Sequence, residues 1–454
     1  MKIQFLGAVG TVTGSKYLVT TKRGSVMVDC GLFQGLKQLR LRNRAALPFD
    51  PGSLSAVVLT HAHLDHSGYL PLLVKNGFRG PVYCTPATAE LCKLLLPDSG
   101  HLQEEDAEYA NRHGFSKHRP ALPLYTEKDA EHCLRYLHPV DYDRPFETGA
   151  DLQSQLVPSG HILGSACVIL TQGGRSLVFS GDLGRPDGAI MVPPRALDHA
   201  DCLIVESTYG DRLHASAAAT DELAAAILPT IRRGGVVIVP SFAVGRAQSL
   251  LYAIHLLKSE GRIPNSLPVY LNSPMAVDVT GLYQRFANEH RLTREQCDAM
   301  CHAATFVNSV EESKHLNTLH QPMIIIAASG MATGGRVIHH LKAFASDPRN
   351  MILFSGYQAA GTRGAAMLGG AKEIRIHGQD IPVRAEIAAL STLSAHADSA
   401  ETLRWLRNFK APPRTTFITH GEPVAADALR QQIERKLGWA TLMPEHAQIV
   451  DVWD

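Results

Sequence analysis

The chain has 454 residues, 45% of them hydrophobic and 19% charged, with 44 Lys and Arg against 43 Asp and Glu. That length exceeds one ordinary domain and suits two, and the composition excludes a disordered or fibrous chain. A net charge of +1 excludes a surface that is basic throughout, so any polyanion has to be met by a local patch.

In chain order, Met1–Leu6 reads as a strand that opens the chain directly, with no basic-then-apolar leader. No window approaches the roughly 20 apolar residues of a membrane span, so a cytoplasmic protein with no membrane partner is expected. Val26-Met27-Val28 is a short apolar run ending in Asp29, and such runs read as strands buried on both faces. Lys37, Arg40, Arg42 and Arg44 follow as candidates for a local basic groove, with Arg246, Arg336 and Arg363 further on. The densest stretch is Leu59-Thr60-His61-Ala62-His63-Leu64-Asp65-His66-Ser67-Gly68, directly after an apolar strand. Alternate residues of a strand share a face, so His61 and His63 can grip one ion, and past the strand end Asp65 and His66 can reach a second. Imidazole nitrogens with carboxylate oxygens suit Zn²⁺, with Mn²⁺ or Fe²⁺ as lesser candidates.

Further runs repeat this grammar of a buried strand with a polar residue at its exit. Leu156-Val157-Pro158 leads to His161, Leu177-Val178-Phe179 to Asp182, Leu203-Ile204-Val205 to Glu206, and Thr416-Phe417-Ile418-Thr419 to His420. In layered α/β folds ligands gather at strand ends, so these endings can converge on one cleft. From Gly210 the pattern turns to helix–strand alternation. Asp221–Arg233 reads as a helix capped by Thr220; Val236–Val239, Val269–Leu271, Met323–Ala328 and Met351–Phe354 read as strands, with a helix opening at Arg246. Strands spaced by helices predict a parallel sheet with right-handed crossovers. The turn Ser329-Gly330-Met331-Ala332-Thr333-Gly334-Gly335-Arg336 precedes a helix over Val337–Phe344, and its glycine-freed N–H groups could face an anion. Ser355-Gly356-Tyr357-Gln358 and Gly361-Thr362-Arg363-Gly364 form a similar rim. Both turns read equally well as tight connections without a ligand. Eight cysteines with no Cys-x-x-Cys pair read as reduced, buried thiols; Cys297 and Cys301, one helical turn apart, are compatible with a soft metal site but, as a lone pair lacking partners, read better as packing. His101, His113, His339 and His340 lack a strand-end context and are taken as surface residues. A helix over Val424–Leu437 closes the pattern, and the return from the insert falls between about 370 and 395.

The His61/His63/Asp65/His66 motif resembles that of the metallo-β-lactamase fold. Three further segments resemble motifs of its β-CASP branch of nucleic-acid-processing hydrolases: Glu206 in Val205-Glu206-Ser207-Thr208-Tyr209-Gly210, His396 in Ser394-Ala395-His396-Ala397-Asp398, and His420 in Thr419-His420-Gly421-Glu422. The resemblance covers essentially the whole chain. It implies an α/β protein, a metallo-β-lactamase αββα sandwich with an inserted β-CASP α/β domain whose mainly parallel sheet is flanked by helices. The divisions implied are residues 1–208 for the first part of the metallo-β-lactamase domain, 209–390 for the β-CASP domain and 391–454 for the C-terminal return.

The same resemblance implies two Zn²⁺ per chain, with His61, His63 and His161 on one, Asp65, His66 and His420 on the other, and Asp182 bridging. Asp29 is expected outside the ligand set, orienting a ligand histidine through its second nitrogen. Asp65 belongs with the catalytic residues. In-line attack on a phosphodiester also needs a proton for the departing oxygen, for which His396 is the choice, with Glu206 holding it protonated and oriented. The alternative is that His396 only caps the helix beginning near Asp398. Candidate substrate contacts are Ser329, Gly330, Thr333, Gly334, Arg336, Tyr357 and Arg363, because the family's insert clamps the nucleic-acid backbone; Tyr357 would stack a base.

The expected function is a zinc-dependent ribonuclease acting on single-stranded regions of RNA, endo- or 5′-exonucleolytic, using a metal-bound hydroxide to leave 5′-phosphate and 3′-hydroxyl ends. RNA rather than DNA rests on the resemblance, because the family's RNA-processing members carry histidine where this chain has His420. The alternative is a hydrolase of small esters, thioesters or lactones, which needs no insert of this size. An RNA-binding subunit with a dead centre predicts eroded ligands, and none are eroded here. A homodimer is left open.

Overall fold

The structure, a computed structural model, describes residues 1–114 and 118–453. Contacts divide the chain into two units, one of residues 1–213 with 396–454 and one of residues 214–395.

In the first unit, strand alternation sends Ile3 and Phe5 of Lys2–Phe5 to one face, and Val19, Val26 and Val28 of Tyr17–Thr21 and Gly24–Val28 join them there. Period-two patterning commits that face to a core. The sheet runs, in order, Ile449–Asp451, Lys2–Phe5, Tyr17–Thr21, Gly24–Val28, Leu54–Val58, Val82–Cys84, Leu137–Pro139. A second seven-stranded sheet runs Thr441–Leu442, Thr415–Thr419, Cys202–Glu206, Arg175–Phe179, Ala166–Gln172, Leu152–Pro158, Phe146–Gly149. The sheets share one core, where Phe5 lies on Phe417 and Tyr17 on Phe179 with ring centroids 5.2 and 5.4 Å apart. Full burial of one such ring contributes roughly 1.5–3 kcal/mol, and truncating Phe417 to Ala would cost about 3–5 kcal/mol. Behind the second sheet, Val178, Leu203 and Val205 meet Leu406, Leu429 and Ile433 of the helices Ser399–Leu406 and Pro423–Leu437. The helices Leu70–Lys75 and Pro86–His113 bury Leu70, Leu73, Leu91 and Leu96. The expected pair of sheets flanked by helices is present.

Strand directions in this unit explain why distant residues meet. Arg175–Phe179, Cys202–Glu206 and Thr415–Thr419 are mutually parallel, so the segments carrying Asp182, Glu206 and His420 leave the sheet at one end. Leu152–Pro158 pairs antiparallel with Ala166–Gln172, which pairs antiparallel with Arg175–Phe179. His161 therefore emerges at that same end. Gly24–Val28 and Leu54–Val58 are parallel as well, which brings out Asp29 beside the histidine-rich segment.

The second unit is built on a six-stranded sheet in the order Thr305–Phe306, Val269–Asn272, Met323–Ala327, Val236–Pro240, Met351–Phe354, Glu386–Ala389. All its pairings are parallel, as helix–strand alternation predicts. Near-continuous apolar strands such as Met323–Ala327, buried at every position, need cover on both faces. Part of that cover is Val337, Leu341 and Phe344 from the helix Val337–Phe344.

Two local expectations are corrected, and some short strands are added. The helix expected at Asp221 with Thr220 as cap spans Ala219–Arg232, with extended Ala218 at the cap position and no side-chain cap; Asp221 and Glu222 supply the negative charge that its first turn favours. His340 is not on the surface but fully buried, its ring nitrogens 2.6 Å from Asn272 Nδ2 and from Asn317 Oδ1. The short edge strands Thr305–Phe306 and Glu386–Ala389 and the hairpin Glu373–Ile376 with Gln379–Pro382 were not anticipated, because short, half-exposed segments carry little periodic signal.

Candidate metal centre

His61 and His63 were expected on a strand, but the strand Leu54–Val58 stops short of them. The Asp29 carboxylate replaces the next ladder acceptor: its Oδ1 accepts from Thr60 N at 2.7 Å and its Oδ2 from Thr60 Oγ1 at 2.9 Å. The chain is turned there into a four-residue helix, Leu64–Ser67, that carries Asp65 and His66. This turn requires Gly31, since a Cβ there would stand 1.6 Å from the backbone oxygen of Asp65.

Two clusters of donor atoms result. In one, His61 Nε2 and His161 Nε2 lie 3.1 and 3.3 Å from His63 Nδ1, and each lies 3.5 Å from Asp182 Oδ2. In the other, His66 Nε2 lies 3.1 Å from His420 Nε2, 3.8 Å from Asp65 Oδ2 and 3.3 Å from Asp182 Oδ1, and His420 Nε2 lies 3.5 Å from Asp65 Oδ2. Asp182 gives one oxygen to each cluster. Ligands at ~2.0–2.1 Å from a tetrahedral ion stand about 3.3 Å apart, and both sets of spacings bracket that value. Oδ1 of Asp182 is buried without a hydrogen bond, as suits an oxygen meant for a cation. The residues present therefore fit divalent metal.

Electrostatics point the same way. Burial, with the neighbouring His66 charge, pushes His61 well below its ordinary pKa, and burial pushes His63 down to about 4. Both rings are therefore neutral at pH 7, the form in which an imidazole ligates a metal. Burial resists charge on Asp182 too, but His420, His66 and His61 outweigh it and hold its carboxyl well below the usual range. Burial opposes charge on His66 as well, and Asp182, Asp29 and Asp65 overcome it and raise its pKa well above the ordinary value. The ionised carboxylates thus draw positive charge to the centre, taken here by the His66 ring, and a metal ion would meet that demand in its place.

Around the clusters, Asp29 Oδ2 stands 2.7 Å from His66 Nδ1, on the side of the ring away from the donor nitrogen. Sequence reasoning missed two hydroxyls. Thr60 Oγ1 lies 3.1 Å from His61 Nδ1, and Thr208 Oγ1 lies 3.1 Å from His420 Nδ1 while donating to Glu206 Oε2 at 2.5 Å. Their signal was adjacency to a ligand or acid at a strand exit, which is weak for threonine. His396 Nδ1 lies 3.2 Å from both oxygens of Glu206. Glu206 is itself anchored by Leu183 N at 2.6 Å. The alternative in which His396 caps a helix fails, because Asp398 caps the helix Ser399–Leu406 in a capping box with Glu401. His63, Asp65 and His396 are half-buried and the other donors buried, so these three form the open side.

The remaining candidates belong to the second unit. In the glycine-rich turn, Ser329 Oγ accepts from Thr333 N at 3.1 Å and Gly334 N at 3.4 Å, so two of the expected anion donors are occupied within the turn. Gly330 is packed on Phe242, whose ring carbon would be 2.6 Å from a Cβ there. Arg336 does not stand beside the turn as a free cation: it donates to Asn272 Oδ1, Val307 O and Asn308 O at 2.8, 3.0 and 2.6 Å. Arg363 likewise donates to Arg375 O, Ala332 O and Thr333 O at 2.7, 3.2 and 3.0 Å. Both guanidiniums brace backbone carbonyls, which satisfies groups a parallel-sheet rim leaves unpaired. Tyr357 is half-buried.

Comparison with known proteins adds independent observations. Residues 9–211 match the model of the metallo-beta-lactamase superfamily, residues 247–367 that of the Beta-Casp domain, and residues 380–444 that of the Zn-dependent metallo-hydrolase RNA specificity domain. The chain is 39% identical over 430 residues to Ribonuclease TTHA0252 of Thermus thermophilus, covering 93% of each. It is 31% identical over 472 residues to Transcription termination factor FttA of Methanocaldococcus jannaschii, covering 100% of this chain and 72% of that one. An RNase J-like protein of the same archaeon is 28% identical over 455 residues, with 99% of each covered. Among solved structures, a protein of unknown function from Enterococcus faecalis superposes with a TM-score of 0.54 at 13% identity over 99% of both chains, a likeness of fold alone.

Proposed function

Because the chain belongs to the β-CASP family of the metallo-β-lactamase superfamily, we propose that it is a metal-dependent ribonuclease that hydrolyses RNA phosphodiester bonds to 5′-phosphate and 3′-hydroxyl ends. The observation that carries this is Asp182, whose Oδ2 lies 3.5 Å from His61 and His161 Nε2 while its Oδ1 lies 3.3 Å from His66 Nε2 and 3.5 Å from His420 Nδ1. His61, His63 and His161, together with Asp65, His66, His420 and Asp182, would hold two Zn²⁺ ions, which would lower the pKa of bound water and stabilise the charge growing on the phosphoryl oxygens. Asp29, whose carboxylate accepts from His66 Nδ1, would leave Nε2 as the nitrogen available to the metal.

The proton for the departing 3′ oxygen comes from His396. With Nδ1 hydrogen-bonded to both oxygens of Glu206, the mobile proton resides on Nε2, and Glu206 favours the cationic ring that can release it. The backbone of the Ser329–Arg336 turn, with Tyr357, contacts the RNA chain, while Arg336 and Arg363 keep those loops in shape. Action in the cytoplasm belongs to the same proposal; among the described residues no helix is long and apolar enough to cross a membrane.

The test sets a labelled oligoribonucleotide beside a thioester and a lactone, with the same zinc-loaded protein. Cleavage of the oligoribonucleotide to 5′-phosphorylated products supports the reading. Rapid thioester or lactone turnover with the RNA untouched replaces it with a small-ester hydrolase.

A further inference from the structure

Outside the metal centre, the first unit holds a cluster of positive charge with no matching acid. Lys16 is buried, and its Nζ sits between two aromatic faces, 4.7 Å from the Phe33 centroid and 4.6 Å from that of Tyr69. The Arg42 guanidinium lies 5.5 Å from the same Phe33 ring, and the His446 ring stands edge-on to it at 6.3 Å. Among the described residues no carboxylate pairs with Lys16, Arg42 or His446, and no acid occurs between Gly31 and Phe49. Cation–π contacts return on the order of 1–2 kcal/mol, less than the penalty of holding an ammonium away from water. Burial accordingly pushes the Lys16 pKa down to about 8, and partial burial with the charges of Arg42 and Lys16 depresses His446.

The cluster is rigidly built. Asn43, buried at the end of the helix Lys37–Arg42, clamps Phe33 from both sides, its Oδ1 accepting from Phe33 N at 2.9 Å and its Nδ2 donating to Phe33 O at 2.8 Å. Gly14, at φ +78°, lets the ring lie flat on the backbone, since a Cβ there would meet ring carbons at 2.6–2.8 Å. Backbone bonds tie the cluster to the segment bearing Asp65 and His66: Ser15 N donates to Asp65 O at 2.8 Å, Gly31 N to Ser15 O at 2.9 Å and Leu32 N to Leu64 O at 2.8 Å. Half-buried Arg42 and exposed His446 form its mouth.

We infer that Lys16, Arg42 and His446, grouped around Phe33, form a subsite for an internal phosphodiester of the RNA strand on the Asp65 side of the metal centre. The inference rests on the ribonuclease reading and adds to it where the strand runs. A phosphodiester supplies the anion the cluster lacks, its oxygens accepting from the Arg42 fork and the Lys16 ammonium. Phe33 holds both cations at a fixed spacing that a flexible surface pair would not keep. The basic helix Lys37–Arg42, with no buried residue of its own, extends the track.

The test is the salt dependence of kcat/KM for a single-stranded oligoribonucleotide, with inorganic phosphate as competitor. One single-strand phosphate contact gives a log–log slope of about 0.7, which is about fivefold in affinity at 0.1 M salt relative to 1 M. Lys16→Met and Arg42→Gln should each flatten the slope by about that amount and lower kcat/KM about fivefold at 0.1 M through KM. Lys410→Gln, which removes an exposed charge paired with Asp198, should leave both at wild-type values. Lys16→Met is read only where its thermal midpoint matches wild type; otherwise Arg42→Gln alone decides. RNA cleaved with wild-type slope by Arg42→Gln overturns the subsite. So does a change confined to inhibition by free phosphate, which would make this a small-anion site. Failure of the wild-type protein to cleave RNA at all would instead overturn the ribonuclease reading.

Discussion

Replacing Asp29 with Asn removes one charge from a residue that touches no proposed metal ion, so its effect isolates the support of the centre. Asp29 is 1% exposed and its oxygens accept three hydrogen bonds, from Thr60 N, Thr60 Oγ1 and His66 Nδ1, at 2.7, 2.9 and 2.7 Å. Asn has the same shape but only one acceptor oxygen. If that oxygen keeps Thr60 N, the amide NH₂ faces His66, and the ring must carry its proton on Nε2, the atom 3.1 Å from His420 Nε2. Binding an ion then requires the unfavourable tautomer or a rotated amide. A hydrogen bond to a charged group is worth about 1.5–3 kcal/mol, and at 1.4 kcal/mol per decade that is roughly 10- to 100-fold in metal affinity. The assay is competition with a calibrated chelator at pH 7.5, read as zinc retained per chain, with RNA cleavage followed at saturating zinc. The expectation is weaker retention of the ion beside His66, with cleavage largely restored by excess metal. Retention within twofold of wild type would show that Asp29 does not set the His66 tautomer.

His396→Ala should keep its metal and lose about 10²-fold or more in cleavage rate, as expected for a missing general acid; loss of metal would reassign the residue. Gly31→Ala forces a Cβ to within 1.6 Å of Asp65 O, so the segment holding Asp65 and His66 must move, and the purified protein should bind metal poorly; normal metal content would refute the packing argument. Arg336→Ala leaves Asn272 Oδ1, Val307 O and Asn308 O without their donor and should destabilise the second unit by on the order of 2 kcal/mol in urea unfolding, without changing the salt slope of RNA binding; a flattened slope at unchanged stability would restore Arg336 as a phosphate contact. Burial, with His339 and Arg336 nearby, pushes His340 down to about 4. The unfolded chain then binds the extra proton between about pH 6.5 and 4, so the stability tied to neutral His340 is complete above that window and falls as pH drops through it, by about 2 kcal/mol at pH 5. His340→Gln should erase that part, narrowing the stability gap to wild type between pH 8 and pH 5; a constant gap contradicts it.

The legible part of the sequence is the part whose chemistry is local. His61, His63, Asp65 and His66 announce themselves through density alone, and buried strands such as Met323–Ala327 through unbroken apolar runs. Asp182, His161 and His420 are legible only as a repeated grammar of strand exits. What brings their donor atoms within a few ångströms of one another is the common direction of their strands, a long-range property that no single segment carries. Side-chain satisfaction is less legible still. Arg336 and Arg363 look like surface cations in a glycine-rich context, yet each is spent on backbone carbonyls brought in from residues distant in sequence. His340 has no strand-end context, yet it is buried because its neighbours Asn272 and Asn317 satisfy both ring nitrogens. Lys16 and His446 fall outside every motif, and only the tertiary fold sets them around Phe33.

The decisive measurement is a zinc titration of metal-stripped protein, following cleavage of a single-stranded oligoribonucleotide. Two clusters that share Asp182 predict no cleavage without metal, a rise that breaks near two equivalents per chain, and no cleavage at any zinc concentration for Asp182→Ala. Undiminished cleavage by the stripped protein, or by Asp182→Ala, would mean that these side chains do not form the hydrolytic centre.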